Sequence, residues 1–181
     1  LIGALSACGQ GPAATPAATQ SPAAAMDHGA TPMTEDAPID AQFIDSMIEH
    51  HQGAIDMAEQ ALQESERPEI RALAETIIAT QQAEVDQMRA WREQWYPDLG
   101  PTTGLHMPMG EMQISADASQ PFDARFIDAM IAHHRGAIDM ARMAREQAEH
   151  SEIRELAEAI ITTQEAEIAQ LEQWRATWFG R

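Results

Sequence analysis

Residues 38–96 of this chain return without a gap as residues 121–179, a shift of 83, and 34 of the 59 aligned positions are identical. A repeat this long is one folding unit duplicated within one domain. The best-kept string is Phe43-Ile-Asp-Ser-Met-Ile-Glu-His50-His51-Gln-Gly-Ala-Ile-Asp-Met57, which recurs from Phe126 to Met140 around His133-His134.

Each repeat reads as a helical hairpin. Pro38-Ile39-Asp40 and Pro121-Phe122-Asp123 are predicted helix starts, with Asp as N-cap and Ile39 and Phe122 stapling onto Ile44 and Ile127. The first helix is predicted to run to about residue 64 and its copy to about 148. A break near Ser65–Pro68, or His150-Ser151 in the copy, opens the second helix, where proline is tolerated in the first turn. That helix ends at Trp95-Tyr96-Pro97, and its copy at Trp178-Phe179. No run alternates as a strand would, so the expected fold is all-α: a four-helix bundle of two repeated hairpins in up-down-up-down order.

The first helix carries two adjacent seams at 3/4 spacing. One holds Phe43, Met47, His50, Ala54, Met57 and Ala61; the other holds Ile44, Ile48, His51, Ile55, Ala58 and Leu62. Consecutive residues lie about 100° apart on a helix, so each histidine sits in the middle of one seam. The copy repeats the pattern with Met130, His133 and Met140 beside His134. On the second helix Gln81 and Glu84, retained as Gln164 and Glu167, are expected at the level of the imidazoles, as hydrogen-bond mates or as groups orienting them toward a metal.

Thioether and imidazole one turn apart favour Cu(I), and Ag(I) by the same softness, over hard ions. Met57 stands two turns beyond His50, roughly 10 Å along the axis, and needs another helix to complete a shared site. Histidines satisfied in a core with methionine filler are the alternative. A second cluster, His106-Met107-Pro-Met109-Gly-Glu-Met112, falls in the connection between hairpins, where it could capture a soft ion or pack over a bundle end. Met26, His28 and Met33 form a thinner version upstream. A di-iron bundle needs Glu-x-x-His on two helices. Met47, Ile48, Met130 and Ile131 occupy the glutamate positions, and Asp45, Glu49 and Asp56 read as a solvated face.

The opening Leu5-Ser6-Ala7-Cys8 reads as the end of a lipoprotein signal in residues 1–8, which places the start of the sequence partway through that signal. Cys8 would then carry the lipid; an incidental cysteine in a tail is the alternative. As the only cysteine, it leaves neither a disulfide nor a Cys-based metal site. Residues 9–37, rich in Ala, Pro and Thr, read as a disordered tether spanning roughly 30 Å. Residues 38–179 form the expected bundle, with a Met-containing linker over 97–120. The formal net charge of −18 argues against nucleic acid as partner and attracts cations without selectivity.

The doubled Phe-x-x-x-Met-Ile-x-His-His-x-Gly-Ala-Ile-x-Met-Ala string closely resembles the bacterial domain-of-unknown-function family 305 (DUF305). The Trp-x-x-x-Trp helix ending and the Met-Gly-x-Met linker are similar to that family too. The resemblance covers residues 38–179 and implies a ferritin-like bundle, exported or membrane-anchored. Most members have no assigned activity. From the copper-handling members it implies Cu(I) and Ag(I) binding through Met47, His50, His51 and Met57 with Met130, His133, His134 and Met140. This chain carries fewer Met and His in its tether and linker than those members. The expected function is therefore a lipid-anchored, extracytoplasmic Cu(I) buffer, chaperone or resistance factor, not an enzyme, partnered by another envelope copper-handling protein. The rival readings are a metal-free interaction or pH-sensing bundle and, more remotely, a copper-dependent redox enzyme. Oligomeric state is left open.

Overall fold

A computed structural model describes residues 37–180. Cys8, the tether up to residue 36, and Met26, His28 and Met33 lie outside the described residues. Four helices, α1 (Ile39–Glu64), α2 (Pro68–Trp95), α3 (Phe122–Gln147) and α4 (Ser151–Phe179), make up the regular structure; the described residues contain no strand.

The seams of α1 explain its place. Phe43, Met47, Ala54, Met57 and Ala61, with Ile44, Ile55 and Ala58, are all buried, while Ile48 and Leu62 lie at the edge. Each large apolar side chain so removed from water contributes about 1.5–3 kcal/mol. Pro68 begins α2 at a position whose N–H would have no helical partner. The hairpins α1–α2 and α3–α4 meet through α1 against α3.

The sense of the second hairpin departs from expectation. Asp40 at the start of α1 bonds Glu149 and His150 just before α4, and Arg67 just past α1 pairs with Asp123 at the start of α3. Helices α1 and α3 are therefore antiparallel, and the order is up-down-down-up. The long linker makes this possible by carrying the chain back along the bundle.

The expected Asp caps are also corrected. Pro38 and Pro121 occupy the N-cap positions and no side chain caps either helix. Asp40 and Asp123 stand in the first turn, where the helix dipole favours a carboxylate, and their oxygens serve the other hairpin. Asp40, fully buried, accepts the backbone N–H groups of Glu149 (2.8 Å) and His150 (2.9 Å) and holds His150 Nδ1 at 2.6 Å. Asp123 holds Arg67 at 3.1 Å. Arg67 and His150 are equivalent in the repeat: the guanidinium lies 4.2 Å over Trp178, and the imidazole stacks 3.8 Å from Trp95. Two such latches close the two ends of the α1–α3 seam.

Asp45 is not the solvated residue its spacing suggests. It receives the Arg92 guanidinium (2.9 Å) and the Thr102 N–H (3.0 Å), and Arg92 also donates to the carbonyls of Tyr96, Leu99 and Gly100. The buried Ser46 hydroxyl accepts the Leu105 N–H at 2.7 Å. These bonds fasten the linker along α1. Glu49 and Asp56 remain exposed.

Candidate metal centre

The antiparallel crossing of α1 and α3 brings the two His-His pairs together. His50 and His133 face each other with ring centroids 3.7 Å apart, and all four imidazoles are fully buried. His133 Nε2 lies 3.0 Å from the His50 carbonyl, and His50 Nε2 lies 2.9 Å from the Met109 carbonyl in the linker. Carbonyl oxygens only accept, so both Nε2 atoms must carry the hydrogen. On the outer side, His51 Nε2 donates to Glu84 Oε2 at 2.7 Å. His134 Nε2 reaches Glu167 Oε2 at the same 2.7 Å, although out of line for a hydrogen bond.

The consequence falls on the other ring nitrogen. In His50, His51 and His133, where Nε2 is the donor, Nδ1 bears a lone pair, and the Nδ1 atoms of all four histidines are buried without a partner. Orphaned acceptors of this kind are rare in a core and call for an explanation. Burial first, then repulsion from the neighbouring imidazoles, lowers His50 to about 3 and His133 to about 2, so these two rings stay neutral. A neutral imidazole whose far nitrogen is tied to a carbonyl or carboxylate is the form in which histidine binds metal.

The linker supplies what sits over this layer. A Cβ at Gly53 would fall 2.6 Å from Met112 Cε, 3.4 Å from its sulfur and 3.3 Å from His133 Nε2. The Met112 thioether therefore lies beside His133. At Gly136 a Cβ would fall 2.6 Å from the Met109 carbonyl oxygen, so the bare helix surface there admits the linker backbone. Gly110 turns the linker with φ 72°, the left-handed region that glycine adopts freely. The two helical glycines thus have different jobs, and substitution separates them. Gly136→Ala drives a methyl into backbone and should lower the melting temperature by the equivalent of about 1–3 kcal/mol. Gly53→Ala meets mainly the movable end of Met112, so thermal unfolding should show stability held, or raised toward the roughly 1 kcal/mol alanine gains over glycine in a helix.

The remaining candidate residues fall in three places. Met47 and Met140 are buried in one apolar cluster, and Met57 and Met130 in the other, so each cluster joins a methionine of α1 to one of α3. In the linker His106 is exposed, while Met107, Met109 and Met112 are half-buried. Gln81 and Gln164 are buried, and neither Oε1 has a partner. Glu84 and Glu167 alone of the four reach the imidazoles. Among the described residues no three His, Cys, Asp or Glu side chains gather as a metal cage. What the crossing can offer an ion is imidazole nitrogen completed by thioether sulfur, a donor set suited to soft cations. Sequence reasoning missed Gly53, Gly136 and the Met109 carbonyl. A glycine kept in mid-helix in both copies was the available signal.

Residues 40–175 match the family described as Domain of unknown function (DUF305), and the chain belongs to that family. Solved structures agree. The chain is 41% identical to CopM in its Cu(I)-bound form, over 78% of this chain and 98% of that one, with a TM-score of 0.67. For CopM in the Cu(II)-bound form the figures are 42%, 77%, 97% and 0.68. A DUF305 protein from Streptomyces coelicolor, described as secreted, is 27% identical over 74% of this chain and 88% of its own, with a TM-score of 0.63. No protein with a curated description matches the chain.

Proposed function

We propose that this DUF305 protein binds Cu(I), and Ag(I) by the same softness, as cargo, and that it buffers, chaperones or detoxifies copper outside the cytoplasm. The observation that carries the reading is the set of four buried imidazoles with unpartnered Nδ1 atoms at the α1–α3 crossing, of which His50 and His133 are held neutral by burial. Structures of CopM with copper and silver bound, at 40–42% identity, support it.

The ligands are assigned to His50, His51, His133 and His134, with Met47, Met57, Met130 and Met140 on either side of the imidazole layer. His106, Met107, Met109 and Met112 form the capture segment, joined to the buried layer by the Met109 carbonyl at His50 and by the Met112 side chain at Gly53. The protein is read as a carrier without catalytic activity, delivering to another envelope copper-handling protein. Export rests on the Leu5-Ser6-Ala7-Cys8 sequence and on the secreted relative. No helix among the described residues is long and apolar enough to cross a membrane; on the Leu5-Ser6-Ala7-Cys8 sequence, attachment is assigned to a lipid on Cys8.

The test is a titration of the full chain with Cu(I), under reducing and oxygen-free conditions, against a chromophoric chelator, with Zn(II) in parallel. Stoichiometric withdrawal of Cu(I) from the chelator without comparable Zn(II) binding is the expected result. Failure to compete would leave the imidazoles as core residues of a metal-free module.

A further inference from the structure

Between α2 and α4 lies a second constellation, built from oxygen atoms rather than imidazole and sulfur. Thr80, Gln81 and Glu84 of α2 face Thr163, Gln164 and Glu167 of α4 across a small cavity of about 10 Å³, room for one water-sized occupant. The two sets are equivalent in the repeat, so the pseudo-twofold relating the hairpins passes through the cavity. Gln81 and Gln164 are each only 3% exposed, and both Oε1 atoms are buried without a partner. Each glutamate turns Oε2 toward its histidine, which leaves Oε1 uncommitted there.

We infer that this cavity binds one hard divalent cation, held by the Gln81 and Gln164 carbonyl oxygens and the Glu84 and Glu167 carboxylates. Amide oxygens, carboxylates and hydroxyls make an all-oxygen donor set, which suits Mg²⁺, Mn²⁺ or Ca²⁺ and excludes a soft ion. A water could donate to both amide oxygens, but it would then have no hydrogen left for either carboxylate, and no Lys or Arg lines the cavity. A cation satisfies the amide oxygens and the carboxylates together. The net charge of −18 also raises the local concentration of cations around the bundle. The cavity is separate from the methionine-covered His50–His133 layer, so the chain would carry a soft cargo ion and a hard resident ion at once.

The test uses metal-stripped full chain and Mn²⁺, followed by electron paramagnetic resonance, with Mg²⁺ and Ca²⁺ as competitors. One saturable Mn²⁺ per chain is expected. Gln81→Leu with Gln164→Leu should weaken it by at least about tenfold. That pair leaves the formal charge unchanged, so diffuse binding to the acidic surface would not respond. Gln81→Glu, which adds a carboxylate at the same position, should tighten binding. Absence of saturable binding, or equal binding by wild type and the leucine pair, would overturn the site and leave the cavity to a water. Cu(I) competition on the same samples is a separate readout: Mn²⁺ bound without Cu(I) uptake would sink the copper assignment and leave this one standing.

Discussion

Replacing His50 and His133 together with leucine should lower Cu(I) affinity by more than about a hundredfold, beyond the roughly 10–100-fold that follows loss of a partner merely orienting a ligand. The two rings lie 3.7 Å apart, tilted by 45°, in the centre of the α1–α3 crossing, and His133 lies beside the Met112 thioether. The fold should survive. Leucine takes the place of a neutral buried ring and removes two Nδ1 acceptors that have no partner. Against this, the Met109 and His50 carbonyls lose their donors, at about 1–3 kcal/mol for each group left unpaired. Far-UV circular dichroism should therefore show unchanged helicity while the chelator keeps its copper. Substituting His51 and His134 as well should abolish tight binding. Undiminished affinity in the chain lacking all four histidines would move the copper out of the imidazole layer and toward the His106–Met112 segment.

The hairpins were legible because their evidence is local. Seams at 3/4 spacing, Pro68 at a helix start and two tryptophans near the end of α2 and again of α4 specify where helices begin, end and face. The direction in which the second hairpin meets the first was not legible, because two copies of one amphipathic pattern pack acceptably in either sense. What decides it is cross-hairpin bonding by Asp40, His150, Arg67 and Asp123, and a lone charged residue in a first turn reads equally well as a cap. The histidine layer was visible as a pattern, but its tautomers were not. They are set by the Met109 and His50 carbonyls, main-chain atoms that leave no mark on residue identity. Ser46 is instructive in retrospect: it stands where the copy has Ala129, because only the first repeat has a linker N–H to satisfy there.

Acid should unfold this bundle more steeply than its carboxylates alone would cause. His50 and His133 titrate at about 3 and about 2 in the folded chain, mainly because burial disfavours the charged ring, against about 6.5 when unfolded. Above pH 6.5 both states hold these rings neutral and stability is complete. Below it the unfolded chain gains two protons that the folded chain refuses. Stability is therefore lost as pH falls from 6.5 toward 3, at about 1.4 kcal/mol per pH unit for each ring. The pair removes roughly 5 kcal/mol by pH 4.5, comparable to the whole stability of a small domain. Circular dichroism followed against pH should show a cooperative transition between about pH 5 and 4, shifted to lower pH in the His50→Leu/His133→Leu chain. Protonation of the 29 acidic residues is common to both proteins and drops out of the comparison. Saturating Cu(I) should also lower the midpoint of the wild type, since a ligand that binds only the folded state stabilises it and holds the nitrogens that protons seek. A midpoint that moves with the substitution but not with Cu(I) would identify the histidine layer as a pH-responsive core and remove copper from its function. Movement with both ties proton and copper to the same two imidazoles, His50 and His133.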